Sequence, residues 1–145
     1  MTAEPKPLSR FIDAQAGGVY ERALAEIRAG FKRSHWMWFI FPQLEELGRS
    51  ETAKFYGIQG LREARAYLAD AVLGSRLREI CAALLELGTC DPHEVFGSPD
   101  DLKLRSSMTL FALAAPDEPL FPAVLEKFYD GERCGRTVEK VNDSV

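Results

Sequence analysis

The helical rhythm of this chain never runs for long before it is cut. Apolar residues recur at three- and four-residue steps along most of its length, and a glycine or proline ends each run: Gly17-Gly18, Gly30, Pro42, Gly57, Gly88, Gly97, Pro116 and Gly131. Glycine supplies the left-handed residue that closes a helix, and proline cannot continue one. Short helices of this kind are stable only when their apolar stripes are buried against one another. The expected fold is therefore all-α, a single compact bundle of about seven or eight short helices. One domain is expected over residues 1–145, with residues 1–8 and 138–145 as loose termini.

Local signals place most of these helices. Ser9 reads as an N-cap with Phe11, Ile12 and Gln15 behind it, and Val19, Tyr20, Ala23, Leu24 and Ile27 mark a helix over residues 19–29 closed by Gly30. A capped turn follows Ser50 and stops at Gly57. Leu61, Ala64 and Leu68 share a face, as do Leu77, Ile80, Cys81, Leu84 and Leu85. Asp91-Pro92-His93-Glu94 combines a capping carboxylate, proline at the first helical position and a glutamate two residues later. Ser98-Pro99-Asp100-Asp101 repeats the pattern and opens a longer helix reaching about Ala114. Leu120, Val124, Leu125 and Phe128 define the last helix.

The segment 32–43 fits a buried strand as well as a buried helix. Its helical neighbours and the stop at Pro42 favour a helix. Being apolar all round, that helix is expected at the centre of the bundle.

Composition excludes several classes of function. The hydrophobic share of 46% against 28% charged residues is too apolar for a disordered chain. A net charge of −4, without a block of five like charges, argues against an extended nucleic-acid partner. Arg28, Lys32 and Arg33 form a small basic cluster, best read as solvated helix ends, with room for one anionic group. Cys81, Cys90 and Cys134 are odd in number and lack C-x-x-C spacing, and no secretory signal precedes the first helix, which points to the cytoplasm. No apolar run approaches the roughly 18 residues of a membrane span. Neither histidine pairs with a cysteine at metal spacing, and no phosphate-binding or dinucleotide glycine fingerprint is present. No metal and no cofactor are expected.

Two constellations remain as carriers of chemistry. If residues 32–43 are helical, Lys32, His35 and Phe39 share one face, Trp36 falls with Ile40, and Trp38 points away from Trp36. Aromatics on opposed sides either pack a core or line a groove for a planar ligand; the plain alternative has His35 bonded to a carbonyl within the core. The second constellation is Lys103, Ser106, Ser107 and Thr109. On a helix Lys103 neighbours both serines, an arrangement suited to nucleophile activation or to holding a phosphate or carboxylate. Small hydroxyl residues also occur wherever helices approach closely.

Ser34-His35-Trp36-Met37-Trp38-Phe39-Ile40-Phe41-Pro42-Gln43, Tyr56-Gly57-Ile58, Asp100-Asp101-Leu102-Lys103-Leu104 and Ser106-Ser107-Met108-Thr109-Leu110-Phe111 together resemble the bacterial family catalogued as domain of unknown function 1810. The resemblance spans nearly the whole chain and implies a mainly α-helical fold without an established activity. Its motifs fall on Lys32, His35, Trp36, Trp38, Gln43, Tyr56, Lys103, Ser106, Ser107 and Thr109, which suggests one shared pocket. Where the family has His-Pro before Val72-Leu73-Gly74, this chain has Asp70-Ala71.

The expected function is binding of a small anionic, aromatic, nucleotide-like ligand where the His35 segment meets the Lys103 helix. Lys32, His35, Gln43, Lys103, Ser106 and Ser107 would be its polar contacts, and Trp36, Trp38 and Tyr56 its walls. One alternative is an enzyme, a transferase or hydrolase, using His35, Lys103 and Ser107 in the same pocket. Another is a protein-interaction module or homodimer, in which a surplus tryptophan covers a partner chain.

Overall fold

The structure, a computed structural model, describes residues 7–143. Among these residues the regular structure is helical, with no β-strand: α1 (Ser9–Ala14), α2 (Val19–Arg28), α3 (Met37–Ile40), a 3-10 turn (Glu45–Leu47), α4 (Glu51–Phe55), α5 (Leu61–Ala69), α6 (Leu73–Glu86), α7 (Pro92–Phe96), α8 (Asp100–Ala114), α9 (Leu120–Tyr129) and α10 (Gly135–Asp143). Ten α-helices exceed the expected seven or eight. The extra elements are mostly single turns.

Caps fall where their chemistry is local. Ser50 Oγ accepts the Ala53 N–H at 3.1 Å at the start of α4, and the Asp91 carboxylate accepts the His93 N–H at 2.9 Å at the start of α7. Gly30 and Gly97 take positive φ where α2 and α7 end. Asp70, in place of the histidine the family pattern suggested, accepts the N–H groups of Val72 and Leu73 and so starts α6. Two expected caps differ. Ser9 is the first helical residue of α1, and α8 begins at Asp100 without a side-chain cap, after a cis Ser98–Pro99 bond.

The centre of the bundle is α8. It packs against α5, α7, α9 and α10, and Leu104, residues 106–112 and Ala114 are all buried. This corrects the expectation that residues 32–43 form the central helix, because only Met37–Ile40 are helical there. The cause lies in α2. The Glu26 carboxylate accepts the N–H groups of Arg33 and Ser34, the Ser34 hydroxyl and the Trp36 indole N–H, all between 2.6 and 2.9 Å. The Lys32 N–H is meanwhile taken by Val95 O at 2.8 Å. These bonds hold residues 31–36 in an irregular turn, and a continuous helix would forfeit them. Burial pushes the Glu26 carboxyl up, and the four donors more than reverse this, bringing it to about 2.

Trp36, Ile40 and Phe41 nevertheless enter the core, with Trp36 and Phe41 in contact with each other and with Phe96. Downstream, Glu45 N–H bonds to Ile58 O and Ile58 N–H to Gln43 O, at 2.9 and 2.8 Å. The two strands of chain run so close that a Cβ at position 57 would lie 2.3 Å from Glu45 Cα, hence Gly57. The segment expected to be loose from residue 138 is helical to Asp143. Thr137 and Val141 are buried along α10, so this helix is part of the packed structure, and residues 144–145 lie outside the described residues. Of the expected loose N-terminus, residues 1–6 lie outside the described residues.

Candidate functional site

The start of α8, the start of α10 and the stretch from Gln43 to α4 enclose an open cleft of about 490 Å³. Its polar lining is Gln43, Arg49, Ser50, Lys103, Ser106, Cys134 and Arg136, and Leu47, Leu102 and Pro99 supply apolar surface. Among the described residues three cations and no carboxylate line this space, in a chain whose net charge is −4. Among the described residues Arg49 and Arg136 have no ion-pair partner. Lys103 Nζ lies 3.5 Å from Asp100 Oδ1 and 5.9 Å from the centre of the Trp38 ring, which orients its ammonium without enclosing it.

Next to the cleft is a narrow recess that shares Gln43, Ala53 and Lys103 with it and is closed by Met37, Trp38, Phe41 and Tyr56. Its free interior is about 10 Å³, room for one water and far less than an aromatic ring needs. Trp38 and Tyr56 therefore stand behind the polar groups and do not form a slot for a planar ligand.

The expected site residues divide into three sets. Gln43, Lys103 and Ser106 line the cleft, with Trp38 and Tyr56 in the adjoining recess. Ser107 and Thr109 lie inside the bundle, both fully buried. Thr109 Oγ1 donates to Arg105 O at 2.8 Å and accepts the Cys134 N–H at 2.9 Å, so it clamps α10 to α8; the Ser107 hydroxyl has no hydrogen-bond partner. The plain reading of these hydroxyls, close helix approach, accounts for both positions.

Lys32, His35 and Trp36 form the third set, and none of them lines the cleft. Lys32 Nζ donates to Ser34 O at 2.6 Å, pairs with Asp100 Oδ2 at 3.0 Å and lies over the Trp36 ring. It ties the loop to the head of α8. Trp36 is sealed at 1% exposure. His35 is exposed and lines a different groove, of about 450 Å³, with Arg22, Arg33 and Phe39. The helical turn expected to carry His35 toward Lys103 is replaced by the Glu26-bound loop, which turns the imidazole to the other side.

Arg49, Ser50, Cys134 and Arg136 are cleft residues that the sequence did not single out. Ser50 was legible as a helix start. Arg136 belongs to a helix with only two valines to mark it and Cys134 immediately precedes it, and the inward stripe of Cys134, Thr137 and Val141 looks half polar. The repeat of buried positions at helical spacing was the available signal.

Fold and cleft together define a small all-α protein with a basic, solvent-open site between its central and last helices. The chain belongs to the family described as protein of unknown function (DUF1810), whose profile matches residues 5–141. It is similar to a conserved hypothetical protein, Rv1873 from Mycobacterium tuberculosis, known from a crystal structure: the two are 49% identical with a TM-score of 0.92, over 96% of this chain and 99% of that one. No curated protein matches. No helix among the described residues is long and apolar enough to cross a membrane.

Proposed function

We propose that the cleft between α8 and α10 binds a small anionic metabolite, through Arg49, Lys103 and Arg136, with Gln43, Ser50 and Ser106 as hydrogen-bonding partners. The observation that carries this reading is the charge of the lining, three cations against no carboxylate in an acidic protein. A cleft focuses such a field and raises the local concentration of anions. Its volume of about 490 Å³ falls in the range of small-molecule sites. Because Trp38 and Tyr56 border only a water-sized recess, the ligand is selected by charge and hydrogen bonding, and an aromatic ring on it is not required.

His35 has no part in this reading, and with it goes the support for an enzyme that uses His35 as acid or base on a ligand held by Lys103. A partner surface built on a surplus tryptophan is equally without support, since Trp36 is sealed and Trp38 half-buried beneath Lys103.

A thermal-shift series with inorganic phosphate, di- and tricarboxylates and nucleotides tests the proposal. Anions should raise the melting temperature of the wild type, and Lys103→Ala and Arg136→Ala should each reduce the shift while His35→Ala leaves it intact. A shift that survives both cleft variants and disappears in His35→Ala would move the site to the other groove.

A further inference from the structure

The three cysteines sit in different chemical settings. Cys90 is exposed, and Cys81 is sealed in the core against Met108, where burial pushes its thiol well up and keeps it inert. Cys134 is different. It lines the basic cleft at 8% exposure and immediately precedes α10, its N–H is fixed by Thr109 Oγ1, and its sulfur lies 3.3 Å from Ser106 Oγ. Burial raises this thiol, and the Ser106 and Thr137 hydroxyls with the N–H groups of Thr137 and Arg136 outweigh that, lowering it below an ordinary cysteine.

One of these donors, Thr137, is itself unsatisfied. It is fully buried, its Oγ1 has no partner within hydrogen-bonding geometry, and it faces the Cys134 sulfur. Buried hydroxyls normally find an acceptor. A thiolate is a stronger acceptor than a thiol, so the charged sulfur is the form that completes this hydroxyl. The backbone N–H groups facing the sulfur can only donate, and they favour the same form.

We propose that Cys134 is a covalent modification site, a nucleophilic thiolate that undergoes exchange with a small anionic disulfide drawn into the cleft. The proposal rests on the reading of the cleft as an anion site. In the exchange a lone pair of Cys134 Sγ forms a bond to one sulfur of the disulfide. The original S–S bond breaks, and its electron pair leaves on the other sulfur as a thiolate; the Cys134 proton has already passed to solvent. One disulfide is consumed, one mixed disulfide and one small thiolate are formed, and no further oxidant is needed. A small thiol reverses the step.

The lining selects this electrophile over an ester or amide. Among the described residues no histidine or carboxylate lines the cleft to protonate a poor leaving group, whereas a thiolate leaves as the anion. Lys103, Arg49 and Arg136 are then placed to hold both the incoming anion and the departing one.

The test compares two thiols of the same chain. Cys90→Ser leaves Cys134 reporting, and Cys134→Ser leaves the exposed Cys90. Each is treated with dithiobis(nitrobenzoate), a dianionic disulfide, and with cystamine, a dicationic one, and labelling is followed by mass. The ratio of dianionic to dicationic rates should be about tenfold higher for Cys134 than for Cys90 at low salt. That excess should fall with added salt and in Arg136→Ala, and the rate of Cys134 should reach half-maximum at lower pH than that of an ordinary thiol. Equal ratios, or no labelling of Cys134, would overturn the proposal. Phosphate binding to the wild type separates the two ideas: binding without labelling of Cys134 in Cys90→Ser refutes the covalent site alone, and absent binding refutes the anion cleft itself.

Discussion

Helix α8 carries Ser107 and Thr109 into the centre of the bundle, where four neighbouring helices pack against it, and leaves Ser106 at the edge of the cleft. The segment 32–43, far richer in aromatic rings, forms one helical turn and leaves His35 exposed and Trp38 half-buried. Hydropathy alone would have reversed these roles. A helix can be approached by four others only if many of its side chains are small, because interiors are packed to crystal density and tolerate neither gaps nor overlaps. Serine, alanine and threonine allow that approach, and each hydroxyl can return its hydrogen bond to the preceding turn or to the next helix. Large rings need more room, which an irregular backbone provides. Trp36 reaches the core from a loop whose shape is set by the Glu26 carboxylate and by no propensity of its own.

This contrast can be broken at four points. If the loop is an anchor for the core, Trp36→Ala should cost about 3–5 kcal/mol in urea unfolding, the usual range for removing a sealed large aromatic. A cost below about 1 kcal/mol, the size of a typical surface change, would make the loop a mere covering.

Glu26→Gln should cost about 2 kcal/mol near neutral pH, since one carboxylate is replaced in four hydrogen bonds. The sign of its pH dependence is fixed by the lowered carboxyl. Glu26 titrates at about 2 in the folded protein against an ordinary value of 4.5, so its contribution is complete above the ordinary value and is lost as pH falls toward 2. The stability gap between wild type and Glu26→Gln should therefore narrow between those two pH values. A gap that is constant across the window would remove the carboxylate from the account.

On the α8 side the effects are smaller. Thr109→Val keeps the shape and removes the acceptor of the Cys134 N–H, which should cost about 1–2 kcal/mol, with faster amide exchange at Cys134. Unchanged exchange would mean that α10 is held by other contacts. Ser107→Ala should be neutral or stabilise by up to about 1 kcal/mol, because the hydroxyl it removes is buried without a partner. A clear loss of stability, read from the same urea curves, would show that Ser107 has a partner after all.

What the sequence disclosed follows the range of the interactions involved. The caps at Ser50 and Asp91, the ends at Gly30 and Gly97 and the extent of α8 are decided within a few residues, and all were legible. The Glu26 loop was hidden because it depends on a carboxylate from the preceding helix meeting two N–H groups, a hydroxyl and an indole at once. α10 was hidden because its buried stripe is a cysteine, a threonine and a valine, held partly by a hydrogen bond from α8. The site was legible in half. Lys103, Ser106 and Gln43 do line one cleft, whereas His35 was assigned there only through a helix that does not form, and Cys134 and Arg136 arrive just before and within the helix that was missed.

The central claim is that ligand chemistry belongs to the cleft at α8 and α10 and not to the groove at His35. An amide chemical-shift titration of the wild type with inorganic phosphate tests it most directly. The account predicts saturable shifts at Arg49, Lys103, Ser106, Cys134 and Arg136, with Arg22, Arg33 and His35 unmoved. Saturable shifts at Arg22, Arg33 and His35 with a silent cleft would contradict it.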